Sequence, residues 1–230
     1  MIWDRYCTGR TAIRECAILP GLLWLGATSM SEGRSTPLTE IALASHSPRR
    51  KTLLESLGLH VVIVPSSYDE DPQAGNRDPS EVALRHALGK ANLAQAGGPT
   101  LLLAADTVVA VDGTLLGKPR DAQEARRMLR TLSGREHRVF TGFAVLDRAA
   151  GKQRSGVEST FVRFADLSEQ DINAYVATGD PLDKAGAYGI QGRGALLVTS
   201  IRGDFYTVMG LPLARINAAL RELGYDVRAR

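Results

Sequence analysis

The sequence predicts an α/β protein built as one folding unit, and three observations carry that expectation. Apolar runs of strand length alternate with amphipathic segments of helical spacing from Ile41 onward. No internal repeat, low-complexity tract or linker breaks the alternation. The helical segments carry their own start and stop residues. With 230 residues, 44% of them hydrophobic and 23% charged, the chain can bury a sizeable core without a metal or disulfide staple. That composition, with a mean hydropathy of −0.10, excludes disordered, collagenous and multi-span membrane classes. Although the pI is about 9.0, the formal charge is only +3, which is weak support for bulk attraction to nucleic acid.

The N-terminal region reads differently from the rest. Cys7 and Cys16, the two cysteines, are too few for a disulfide framework or a four-cysteine zinc site. Ala17 to Ala27 (AILPGLLWLGA) resembles the apolar part of a signal peptide, but it is too short to span a membrane and contains Pro20. Met30 opens MSEGRSTPLTE directly before the first convincing strand. Residues 1–39 are therefore expected to be an extension, dispensable or upstream of the true start, and residues 40–228 the working domain.

IALAS (Ile41 to Ser45) reads as a buried strand, followed by a loop and a helix carrying Leu53, Leu54 and Leu57, with Gly58 to end it. HVVIVP is a second strand, and the polar SSYDEDPQAGNRD leads to Asp78, Pro79 and Glu81: cap, first-turn proline and capping-box acid. Lys90 falls on that helix. TLLLAADTVVAVDGTLL holds two apolar runs interrupted by Asp106, then Asp112-Gly113, a hairpin signal. Asp121 and Glu124 frame another capping box, and Ala125, Met128, Leu129 and Leu132 recur at helical spacing until Gly134. HRVFTGFAVLD and GVESTFVRFADL are strand-like; Ser168 with Asp171 opens a helix that Gly179 follows. After the glycine-rich DKAGAYGIQGRG, LLVTSIRGDFYTVMG reads as a hairpin, and Leu213, Ile216, Leu220 and Leu223 mark a last helix.

Several chemistries are excluded by spacing. GTLLGKPR lacks one residue of a phosphate-loop motif and has Pro119 in place of its Ser or Thr. GIQGRG has its glycines in the wrong order for a dinucleotide fingerprint and precedes a strand. The histidines (His46, His60, His86, His137) show no HExxH spacing, and there is no GxSxG elbow.

What remains is a set of polar clusters expected at the ends of apolar runs, where α/β proteins place ligands. They are SHSPRR (Ser45 to Arg50), Glu70 with its acidic neighbours, Lys90, Asp106 with Thr107, GKPRD around Lys118 and Arg120, and Asp183 to Gly192. SHSPRR sets two hydroxyls and two guanidiniums at a helix start, which suits a phosphate; an ordinary Ser-Pro helix start with solvated arginines would look the same. Asp106 is an isolated carboxylate in an apolar region and requires a partner, whether a salt bridge, a cap or a metal. Glu70 is either a solvated loop acid or, with Asp106, half of an oxygen site for a hard divalent ion completed by phosphates and waters.

SHSPRR, LAADTVV, LGKPRDAQEA and DPLDKAGAYGIQGRG, in this order, resemble the Maf-like nucleotide pyrophosphatases, most closely their dTTP/UTP branch. The resemblance runs from about Ile41 to the C-terminal helix. It implies an inosine-triphosphatase-like α/β fold, with an elongated mixed sheet and a cleft between two lobes, that hydrolyses a nucleoside triphosphate to monophosphate and pyrophosphate. By resemblance, Asp106 is the catalytic acid, and Arg49, Thr107 and Gln191 are specificity positions. Ser45, Arg50, Glu70, Lys90 and Lys118 then line the phosphate and metal site, with Glu70 and Asp106 at a Mg²⁺ or Mn²⁺ ion. The family is cytoplasmic and commonly homodimeric, with neither a membrane nor a stable nucleic-acid partner expected. Paired arginines in SHSPRR and an uninterrupted AYGIQG argue against the sister branch acting on 7-methyl-GTP. A cell-division regulator binding nucleotide or nucleic acid is the rival from another class, but no aromatic-interleaved basic stripe supports it. Clearance of aberrant nucleotides, including modified pyrimidine nucleotides, and control of division are both compatible with the chemistry.

Overall fold

The computed structural model describes residues 35–69 and 78–228. In chain order the elements are β1 (Thr36–Pro37), β2 (Glu40–Leu43), α1 (Pro48–Ser56), β3 (His60–Ile63), α2 (Pro79–Asn92), β4 (Leu101–Val111), β5 (Thr114–Leu116), α3 (Ala122–Leu132), β6 (Glu136–Asp147), β7 (Lys152–Phe164), α4 (Glu169–Val176), β8 (Val198–Arg202), α5 (Phe205–Met209), α6 (Leu213–Glu222) and β9 (Tyr225–Asp226). Three 3₁₀ turns lie between α4 and β8.

Helix starts follow the capping residues, with differences of detail. Asp78 accepts from the Ser80 N–H at 2.8 Å, so its short side chain closes on the second helical residue and not on Glu81. Asp121 accepts from the Glu124 N–H at 2.7 Å, but the Glu124 carboxylate turns to the Arg120 backbone N–H at 2.8 Å, leaving the box half formed. Ser168 and Asp171 form the full reciprocal box. Between β4 and β5, Asp112 and Gly113 both take positive φ (46° and 75°), as a tight hairpin turn whose twist matches the strands requires.

The main sheet has seven strands in the order β3-β2-β4-β6-β7-β8, with β5 on β4. Strands β3, β2 and β4 are mutually parallel neighbours; β4, β6, β7 and β8 pair antiparallel, giving the expected mixed sheet. Around β4 two apolar clusters share one face. Leu101, Leu103 and Ala105 pack with Leu53, Leu54, Phe143 and Ile216, whereas Val109 and Val111 pack with Leu129, Leu132, Val139 and Ile172. The opposite face of β4, through Leu102 and Ala104, packs against α2 at Ala91. Successive strand residues point to opposite faces, so the sheet separates the two environments by sequence parity alone.

Three expectations change. Asp106 does not separate two strands, because β4 runs unbroken from Leu101 to Val111 and its ladder with β6 continues through that position. The hairpin expected over LLVTSIRGDFYTVMG does not form. β8 pairs with β7, and Asp204 accepts from the Thr207 N–H at 2.7 Å to open helix α5 in place of a second arm. Finally, β1 pairs in parallel with β9 and Leu38 is buried, so the described domain takes in Thr36 to Thr39, ahead of the boundary drawn at residue 40. Cys7, Cys16 and the apolar run around Pro20 lie outside the described residues, as does Glu70.

Candidate active site

Asp106 and Thr107 lie where both faces of β4 turn polar. In the ladder, Asp106 stands opposite Gly142 and Thr107 opposite Thr141. On the Asp106 face, Gly142 lets α2 approach the sheet backbone to backbone. A Cβ there would overlap the Ala83 carbonyl and stand 2.6 Å from the Leu84 nitrogen. This close approach brings His86 and Lys90, four residues apart on one helix face, onto the carboxylate. Lys90 Nζ donates to Asp106 Oδ1 at 2.6 Å, and His86 Nδ1 lies 3.1 Å from Oδ2.

Burial by itself would raise the Asp106 carboxyl. The His86 hydrogen bond and the positive charges of Lys90 and Arg50 outweigh that penalty and hold it below the ordinary aspartate value. Asp106 is therefore a buried carboxylate at neutral pH, an acceptor only, which requires His86 to carry its proton on Nδ1.

On the other face, Arg50 is a buried strut. Its Nε donates to the Gly210 carbonyl at 2.9 Å, Nη1 to Ser45 Oγ at 2.9 Å and Nη2 to Thr107 Oγ1 at 3.0 Å. Thr107 Oγ1 is also 2.9 Å from Thr141 Oγ1, which donates to the Thr207 carbonyl at 2.7 Å. A hydroxyl has one proton. Since Thr141 spends its own on Thr207, Thr107 donates to Thr141 and faces a ligand with acceptor capacity only.

A cleft of about 810 Å³ is bordered by Ser45, Arg49, Arg50, Lys90, Asp106, Thr107 and Lys118. Seven of the nine site residues expected from the sequence thus meet there. Gln191 stands in a second recess of about 420 Å³, which shares Arg49, Lys184, Tyr188, Val208 and Met209 with the first. Glu70 lies outside the described residues. Arg49 is 3.7 Å from Asp183, a loose, partly exposed pair, and Lys118 is exposed. Lys184 is buried and tied to the Asp180 and Asp183 carboxylates at 2.8 and 2.7 Å, so it braces the turn that precedes Gln191. Between the recesses Tyr188 is bonded at 2.7 Å to His137, which burial pushes down to about 4 and so keeps neutral.

Sequence reasoning missed His86, Gly142, Tyr188 and the bracing role of Lys184. His86 was within reach: once Lys90 is assigned to a site, the residue four positions earlier shares its helix face. Gly142 required the β4/β6 register. For a metal, the described residues contain no group of three or more His, Cys, Asp and Glu side chains, and they supply Asp106 as the buried carboxylate of the cleft. Asp106 is thus at most one oxygen ligand from the described residues, and an ion held there would take the rest of its shell from water and substrate phosphate, as Mg²⁺ does.

An α/β sheet that presents an ionised, buried aspartate beside lysine and arginine in an open cleft is the arrangement of a phosphate-handling enzyme. The chain belongs to the Maf-like protein family, whose pattern matches residues 40–223. It is similar to the dTTP/UTP pyrophosphatase of Dictyoglomus thermophilum, 46% identical over 82% of this chain and 98% of the relative. It is also similar to that of Carboxydothermus hydrogenoformans, at 47% over 81% and 100%, and to that of Moorella thermoacetica, at 47% over 84% and 100%. Among solved structures, a HAM1 protein from Coxiella burnetii aligns over 81% of this chain and 97% of its own, with a TM-score of 0.43 and 16% identity. Among the described residues, no helix is long and apolar enough to cross a membrane.

Proposed function

We propose that this protein is a nucleoside triphosphate pyrophosphatase that hydrolyses dTTP and UTP to the monophosphate and pyrophosphate. The observation that carries the reading is the Asp106 carboxylate, held ionised by His86 and Lys90 in the cleft that Arg49 and Lys118 also border. A triphosphate brings several negative charges towards that carboxylate, and Lys90 offsets the repulsion. Asp106 orients water towards the α-phosphorus and accepts its proton, while Lys90, Lys118 and Arg49 stabilise charge on the departing pyrophosphate. Asp106, together with Glu70, would hold Mg²⁺ or Mn²⁺. When bound, such an ion neutralises phosphate charge and makes water easier to deprotonate. Arg50 and Ser45 act mainly by fixing the cleft wall. The enzyme acts on free nucleotides, in the cytoplasm and as a homodimer, within the segment from about Thr36 to residue 228.

The test is product identity. Incubated with UTP and Mg²⁺, the purified protein is expected to yield UMP and pyrophosphate; UDP with inorganic phosphate as sole products would overturn the reading.

Base choice is assigned to Gln191, whose amide offers a donor and an acceptor side by side to the carbonyl and N–H edge of uracil or thymine. Its place in the recess beside the phosphate cleft supports this. In Gln191→Ala the base edge loses its partner, which costs about 1 to 3 kcal/mol. The kcat/KM values for UTP and dTTP should fall towards that for CTP, with the pyrophosphate product unchanged. An equal fall for every nucleotide would assign Gln191 to the loop or the chemistry instead.

A further inference from the structure

Asp106 accepts from two donors of different kinds. Lys90 is a cation on a flexible stem, and an incoming phosphate competes for its ammonium. His86 is a buried ring on the sheet-facing side of α2, its Nδ1 3.1 Å from Oδ2, with the Tyr68 ring packed at 5.7 Å between centroids. Its other nitrogen, Nε2, is buried with no hydrogen-bond partner among the described residues. Burying an unpartnered ring nitrogen is destabilising, and an apolar side chain of similar volume would avoid it. The Nδ1–H bond to the carboxylate is the interaction that accounts for an imidazole here.

We infer that His86 is a positioning residue for the reaction: its Nδ1–H fixes the plane of the Asp106 carboxylate, so that the lone pairs facing the cleft keep their direction when Lys90 turns to phosphate. The inference rests on the reading of Asp106 as the group that handles water. It assigns His86 no contact with the nucleotide, so its loss should appear in kcat and not in KM.

The experiment compares pyrophosphate release from UTP with Mg²⁺ by the full chain and by two variants. His86→Leu removes the donor and the orphaned nitrogen but leaves Asp106 Oδ2 without that partner, so thermal unfolding is measured beside turnover and kcat is read at a temperature where the variant is folded. His86→Asn places an amide N–H near the position of Nδ1. We expect His86→Leu to lose kcat by about tenfold or more with KM for UTP changed less than about twofold, and His86→Asn to recover most of that loss. Wild-type kcat in folded His86→Leu, or an equal loss in both variants, would overturn the inference, as would a loss confined to KM. A second readout needs no turnover: ¹⁵N-histidine spectra of the wild-type chain, with His86 assigned from its variants, should show the proton on Nδ1. The Nε2-protonated tautomer would refute the bond. If the wild type releases no pyrophosphate from any nucleotide, the proposed function fails, while the tautomer still decides the His86–Asp106 contact.

Discussion

Asp106→Asn is expected to lower turnover on UTP by about a hundredfold or more, equivalent to at least about 2.7 kcal/mol of transition-state stabilisation. The change keeps the size of the side chain but removes its charge. Both carboxylate oxygens receive donors, Lys90 on Oδ1 and His86 on Oδ2. An amide has one oxygen, so its NH₂ must face one of these donors whichever way it turns. The variant therefore loses its capacity to accept a proton from water and also the geometry that aims the group. Steady-state kinetics alongside thermal unfolding checks this. Near-normal turnover in a folded Asp106→Asn protein would reduce the residue to a structural partner of Lys90.

Gly142→Ala should destabilise the protein by roughly 2 to 3 kcal/mol and lower Tm by about 5 to 10 °C. The added Cβ meets the backbone of α2 at Ala83 and Leu84, which cannot rotate away as a side chain can. Relief requires α2 to lift from the sheet, and α2 carries both donors to Asp106. Turnover should therefore fall even at temperatures where the variant remains folded. Calorimetry and kcat at a low assay temperature measure the two effects; a wild-type Tm would show that the helix accommodates the methyl group without strain.

The two predictions act on one contact, and they differ in how legible their residues were. Asp106 was marked by composition, because a lone carboxylate among LLLAA and TVVAV demands a partner. Of its partners, Lys90 was marked as a residue of the phosphate site and not as the partner of Asp106, and His86 was not marked at all. Arg50 likewise suggested a phosphate ligand from its place in SHSPRR, yet it spends at least three donors inside the protein, on Ser45 and on Thr107 and Gly210, which lie 57 and 160 residues away. The α5 helix was misread because Phe205, Tyr206 and Val208 look strand-like, although Asp204 three residues before Thr207 was a readable cap.

The sequence by itself determined the helix starts at Asp78, Asp121 and Ser168, the Asp112-Gly113 turn, the α/β class and, the Glu70 cluster aside, the polar clusters that border the cleft. Each of these rests on interactions within about four residues or on the periodicity of a single element, so a local window contains the whole cause. Only the tertiary structure decided that Asp106 sits in mid-strand, that Gly142 faces it, that α2 therefore lies close enough for His86 to reach Oδ2, and that Gln191 stands in a recess adjoining the phosphate cleft. Strand register sets those contacts: a slip of one residue between β4 and β6 would replace Gly142 opposite Asp106 by a residue of the other face, and no local stretch of sequence encodes that alignment.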